Sequence, residues 1–102
     1  MQAKELSKKI KANQAPLVLD VRSGFEYRAG HIPGAVHVAT WKILVRLAPL
    51  PKDKEAMIVV LCEHGPRAQL ASSILAFVGY RNVDLLDGHM AGWRRAGLPL
   101  ER

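Results

Sequence analysis

The chain has 102 residues, the length of one domain, so a single domain spanning residues 1–102 is expected. Its 49% apolar and 24% charged residues, with 8 Gly and 6 Pro, are ordinary globular proportions and speak against disorder or low complexity. Fifteen Lys and Arg against nine Asp and Glu give a net charge of +6, which suits small anionic substrates or an acidic partner. The aromatic residues are scattered and no basic run interleaves with them, so no nucleic-acid partner is expected.

The longest apolar stretch, around Met57 to Cys62, falls far short of the 18 or more residues needed to cross a bilayer, so no membrane partner is expected. Lys4, Glu5, Lys8, Lys9 and Lys11 leave Met1 to Asn13 without the apolar centre of a secretory signal, which points to a cytoplasmic protein. A lone cysteine excludes an internal disulfide, a Cys-x-x-Cys redox pair and a thiolate-rich zinc site. Its thiol is therefore either core filler or chemistry.

In chain order, Leu6 and Ile10 stand four apart within Gln2 to Gln14, the spacing of a short amphipathic helix that Pro16 stops. Leu17, Val18, Leu19 and Val21 form a near-continuous apolar run, as in a strand covered on both faces. Ser23 followed three residues later by Glu26 reads as a capping box opening a helical turn that Gly30 closes. His31 to Gly34 is a turn, and Ala35, Val36, Val38 and Ala39 predict a second short strand. Thr40 is a candidate cap for a helix in which Trp41, Leu44, Val45 and Ala48 repeat at helical spacing until Pro49 and Pro51 end it.

Met57 to Leu61 is a third strand, followed by a loop from Cys62 to Pro66. From Arg67 to Tyr80 the residues Leu70, Ala71, Ile74, Leu75 and Val78 repeat at three and four, with Gly79 as the stop of the strongest helix. Val83, Leu85 and Leu86 predict a fourth strand, and Met90 to Ala96 a last helix with Trp93 inward. Short buried strands alternating with helices predict an α/β domain with a parallel sheet and helices on both faces. Ligands of such sheets bind beyond the carboxyl ends of the strands, where Asp20 to Ser23, Cys62 to Arg67 and Leu86 to Gly88 fall.

The placement of Cys62 between a strand end and the start of the strongest helix suits an anion, because free N–H groups and the helix dipole point at it. Surroundings of that kind lower a thiol pKa from about 8.5 to roughly 3.5–7.5 and make it a nucleophile. Gly65 permits the tight curvature that gathers successive N–H groups round one point, while Pro66 removes one donor but suits a first helical position. His64 either supplies positive charge or is merely exposed. Arg67 can pair with an incoming oxyanion, or equally with Glu63 or Asp20, and Glu63 is expected to face solvent or form a salt bridge.

Several strings resemble the rhodanese family of sulfurtransferases in its single-domain form, over about Leu17 to Pro99. Leu19-Asp20-Val21-Arg22 with Glu26-Tyr27, then Gly30-His31-Ile32-Pro33-Gly34-Ala35, resembles the family's first signature. Cys62 with Gly65 and Arg67 resembles its active-site loop, and Leu86-Asp87-Gly88 with Gly92-Trp93 and Gly97-Leu98-Pro99 its closing signature. The resemblance implies a three-layer α/β/α fold around a four- or five-stranded, mainly parallel sheet. It implies that Cys62 takes a sulfane sulfur from thiosulfate or a persulfide, holds it as a persulfide, and passes it to cyanide or another thiophilic acceptor, small molecule or protein.

In that scheme the backbone N–H groups of the segment Glu63, His64, Gly65, Pro66, Arg67 and Ala68 bind the substrate, Pro66 excepted, and Asp20 and Arg22 pair to fix the loop. No cofactor is implied, and His37 and His89 lack partners at metal-ligand spacing. Many members open with a short strand before the first helix, for which this chain has little room, and His89 stands where members often have a second glycine. Two rivals differ in chemistry. A related phosphatase or arsenate reductase needs five residues between cysteine and arginine, whereas Cys62 and Arg67 enclose four. A non-enzymatic binding module usually lacks the cysteine, and a protein-to-protein sulfur carrier would use the same loop as an enzyme.

Overall fold

A computed structural model describes residues 1–102. The elements run α1 (Ala3–Lys11), β1 (Leu17–Asp20), α2 (Gly24–Ala29), β2 (Val36–His37), α3 (Thr40–Leu44), β3 (Ile58–Leu61), α4 (Pro66–Phe77), β4 (Val83–Leu85) and α5 (His89–Arg95). The strands form one all-parallel sheet of four, in the order β2-β1-β3-β4. Of the two expected strand counts the smaller is realised. Beside β4, the amine of Met1 donates to the Leu85 carbonyl at 2.8 Å and its carbonyl accepts from the Asp87 amide at 2.9 Å, so one residue pairs there in place of a strand.

Alternation along the strands makes the three layers. Leu19, Ile58 and Val60 face Ile43 of α3 and Ala68, Ala71 and Leu75 of α4. Val18, Val59 and Leu61 face the opposite way, onto Leu6 of α1 and Met90 and Trp93 of α5. Every residue of β3 is buried, which explains why its sequence is uniformly apolar rather than alternating. Burial of side chains of this size contributes roughly 1.5–3 kcal/mol each, so β3 and its two facing layers hold the domain together.

Local signals explain the element ends. The Ser23 hydroxyl accepts from the Glu26 amide and the Glu26 carboxylate accepts from the Ser23 amide, which is the expected capping box. Gly79, at φ +105°, follows α4 where a stop is expected. Three expectations are corrected. Thr40 is the first residue of α3, and the capping position is Ala39, with no side-chain cap. Trp41, Leu44 and Val45 lie on the surface, and Ile43 is the residue that α3 buries. Leu70 of α4 is likewise exposed, its inward positions being taken by Ala68, Ala71 and Leu75.

The strand order positions the site. From β1 the chain moves to one side to make β2, then crosses back to place β3 on the other side of β1. The loops leaving β1 and β3 therefore diverge, opening a crevice at their carboxyl ends. Residues 21–23, following Asp20 at the end of β1, and Cys62 to Gly65 are those loops.

Candidate active site

Cys62 directly follows β3, and three residues later the backbone turns sharply into α4. Gly65 makes the turn at φ +130°, a conformation that disfavours any side chain, and Pro66 occupies the first helical turn. This folds the Gly65 amide back over the cysteine, where it donates to Sγ at 3.0 Å. The amides of Glu63, His64, Arg67 and Ala68 donate to no other group of the chain, and Pro66 has none to offer. Four free donors thus surround the one already spent on sulfur.

The thiol is more enclosed than a position at the sheet's edge suggests. Cys62 has no exposed surface and belongs to the same apolar cluster as Val60, Ala68 and Ala71. Its sulfur nevertheless points to the turn, not away from it. Glu63 is half-buried, His64, Pro66 and Arg67 are exposed, and Ala68 is buried beneath the turn.

Charged groups frame this loop from three directions. Asp20 and Arg22, both buried, pair through a bond from Nη2 to Oδ2 of 2.8 Å and bonds from Nε to both carboxylate oxygens. Arg22 also donates to the Gly30 carbonyl at 2.8 Å and approaches Glu63 at 3.6 Å, linking the β1 loop to the β3 loop. Glu63 completes a salt bridge with Arg94 of α5. Asp20 and Arg22 therefore lie at the same sheet edge as Cys62.

Arg67 does not meet Glu63 or Asp20. Its guanidinium holds both oxygens of Glu26, at 2.6 and 3.1 Å. Glu26 is also the reciprocal cap of α2, and these bonds, Arg67 first and the Ser23 amide next, lower its pKa from 4.5 to about 2. The same bond raises the pKa of Arg67. The arginine on the first turn of α4 is thus a fixed charge at the site's rim rather than a free fork.

Sequence reasoning missed three participants. Glu26 is legible as a cap and within the first signature, but not as the partner of Arg67, and Arg94 carries no local signal at all. The third is His89, which is 8% exposed and whose Nδ1 accepts from the Cys62 amide at 3.3 Å. Its occupation of a position where the resemblance leads one to expect glycine is the signal that could have found it. Nearby amides of α5 complete the attachment, Met90 to the Cys62 carbonyl at 3.1 Å and Ala91 to the Glu63 carbonyl at 3.3 Å.

A parallel α/β/α domain with a thiol bonded to one main-chain amide, in a turn whose neighbouring amides are free and at the point where the strand order reverses, defines a class: a cysteine anion loop at a sheet's carboxyl edge. Comparison with known proteins sharpens that class. The rhodanese-like domain family matches residues 2–96, and the chain belongs to that family. It is 32% identical over 98 residues to a sulfurtransferase of Allochromatium vinosum, covering 96% of this chain and 90% of that protein. It is 39% identical over 83 residues to the thiosulfate sulfurtransferase GlpE of Pseudomonas fluorescens, covering 79% of this chain and 72% of that protein. Among solved structures, the Alr3790 protein from Anabaena superposes with a TM-score of 0.87 at 28% identity, covering 99% of this chain and 81% of that chain.

Proposed function

We propose that the protein is a sulfurtransferase that moves a sulfane sulfur from thiosulfate or a persulfide donor to a thiophilic acceptor through a persulfide on Cys62. The observation that carries this reading is the Gly65 amide bonded to Sγ at 3.0 Å, amid main-chain donors with no other partner. With thiosulfate, the Cys62 thiolate attacks the outer sulfur. A new S–S bond forms, the old one breaks, and sulfite departs with its electron pair. The product is a persulfide anion, so the charge at the site is unchanged and the donors that hold the thiolate also serve the terminal sulfur.

Oxyanions of the arriving donor fall to the amides of Glu63, His64, Arg67 and Ala68. Gly65 and Pro66 shape the turn, and Arg67, although engaged by Glu26, adds positive charge. Asp20 and Arg22 hold the loop from below. In the second displacement a nucleophile such as cyanide or a thiolate takes the terminal sulfur and returns Cys62 to its thiolate. The chain has one cysteine, so that acceptor comes from outside it. A protein acceptor would make the same loop a sulfur carrier.

The complete burial of Cys62 favours a second reading, a non-enzymatic binding module, because inert cysteines are typically enclosed. Mass spectrometry after thiosulfate treatment separates the two. A gain of one sulfur atom on Cys62, absent in Cys62→Ser, is the expected result. An unmodified wild-type protein would overturn the sulfurtransferase reading in favour of the module. An aryl phosphate should not be hydrolysed, because four intervening residues leave Ala68 in the place where a phosphatase needs its arginine.

A further inference from the structure

His89 is held in a way that its packing alone does not require. Its backbone adopts φ +52°, a left-handed conformation uncommon for a non-glycine residue. Residues kept in such conformations cluster at functional sites. The ring is fixed at one end by the Cys62 amide. A backbone N–H can only donate, so Nδ1 must be the unprotonated acceptor and the ring proton sits on Nε2.

Nε2 makes no hydrogen bond within the chain, and no buried side-chain nitrogen or oxygen in the molecule lacks a partner. The small exposed part of the ring therefore includes Nε2. That atom lies over Gly65, 3.3 Å from where a Cβ would stand on that residue. The turn that covers Sγ thus carries, on its side-chain face, one outward N–H from a neutral imidazole. Burial lowers the pKa of His89 from 6.5, with nearby His64 acting in the same direction and Asp87 against it, which keeps the ring neutral and its tautomer single.

We propose that His89 is a further substrate-binding residue of the Cys62 site, whose Nε2–H donates to an oxygen of an anionic sulfur donor while Nδ1 holds the Cys62 backbone in register. The inference rests on the sulfurtransferase reading for its substrate, but not for the donor itself. It also accounts for Gly65 twice over: the turn needs the positive φ, and a methyl group there would crowd Nε2. Pro66 contributes no N–H to the loop, and the imidazole offers a side-chain donor beside it.

The test uses His89→Gly, which fits the backbone at φ +52°, and His89→Asn, which tolerates the left-handed region and keeps one acceptor and one donor. For His89→Gly the KM for thiosulfate should rise about tenfold to a hundredfold, the worth of one hydrogen bond to a charged group. His89→Asn should lie between the variant and wild type. Alkylation of Cys62 gives a readout independent of sulfur chemistry. The rate ratio of anionic iodoacetate to neutral iodoacetamide should fall about tenfold in His89→Gly, on the same hydrogen-bond scale. Nitrogen NMR of the imidazole should show Nδ1 bare and Nε2 protonated.

The opposite tautomer, or an unchanged KM together with an unchanged alkylation ratio, would overturn the proposal. If wild-type protein takes no sulfur from thiosulfate yet the alkylation ratio falls in His89→Gly, the anion donor stands and only the sulfurtransferase reading fails.

Discussion

The segments that follow β2 and β3 are built on opposite terms. After β3, most charged side chains of the loop and its thiol are tied down, Glu63 to Arg22 and Arg94, Arg67 to Glu26, Sγ to Gly65 and the Cys62 amide to His89, while the amides of Glu63, His64, Arg67 and Ala68 stay free. After β2, α3 is five residues long, has no side-chain cap and buries Ile43, while Trp41 is 58% and Leu47 67% exposed. The first segment takes its shape from directional bonds and charges, and the second from apolar packing of Ile43, with Ala48 and Leu50, against the sheet and α4. A loop that must present donors to a sulfur atom needs angles fixed from several sides, which hydrogen bonds and ion pairs supply and apolar burial does not. A surface helix that covers one face of a sheet needs only a side chain of the right volume.

The contrast can be broken most severely at the buried pair. Arg22→Ala strands the carboxylate of Asp20, which has no exposed surface, and should cost about 3–5 kcal/mol by urea denaturation. It should also slow sulfur loading of Cys62 in the fraction that stays folded, because the Glu63 and Gly30 contacts disappear with it. In α3 the comparison is sharpened by a matched pair. Ile43→Ala should destabilise by about 2–5 kcal/mol, and Trp41→Ala by no more than about 0.5 kcal/mol despite removing the larger side chain. Equal effects would mean that α3 is not held by Ile43 alone.

The smallest effect concerns the rim. Glu26 has a folded pKa of about 2 against 4.5, so its contribution to stability is fully present above about pH 4.5 and is lost as pH falls through about 2. Glu26→Gln should flatten that part of the stability profile. Both partners are partly exposed, 29% for Glu26 and 47% for Arg67, so solvent screening should keep their pairing worth no more than about 1 kcal/mol at neutral pH. His89, whose pKa is also lowered, loses its share in a higher window, beginning near pH 6.5 as the unfolded chain protonates first. An acid limb near pH 6.5 that His89→Asn abolishes would separate the two groups.

The parts of this molecule legible in its sequence are those specified locally. The apolar run of β3, the Ser23–Glu26 box and the Gly65-Pro66 turn each depend on neighbours within a few residues. So did the placement of Cys62 at a strand end. The register of α3 was not legible, because a helix this short offers too few turns for the spacing of Trp41, Leu44 and Val45 to outweigh one deeply seated Ile43. The partner of Arg67 was not legible either. Glu26 comes to it from another helix, across the sheet edge, and spacing along the chain carries no trace of that meeting. His89 gave only a negative sign, a side chain where glycine is expected, and its hydrogen bond to Cys62 had to come from the packing of α5 against the β3 loop.

The parallel pairing of β1 with β3, Leu17 opposite Ile58 and Asp20 opposite Leu61, bears on how the chain is made. As the polypeptide leaves the ribosome, β1 and β2 emerge with no central neighbour to close against until β3 has followed them out. The strand that joins this early pair to the rest of the sheet is the one whose next residue is Cys62, so the proposed nucleophile and the centre of the sheet emerge in almost the same moment of synthesis, ahead of β4. Such distant pairing makes folding slow relative to helical chains of this length, and the interval before β3 arrives is when the early strands most need protection from aggregation.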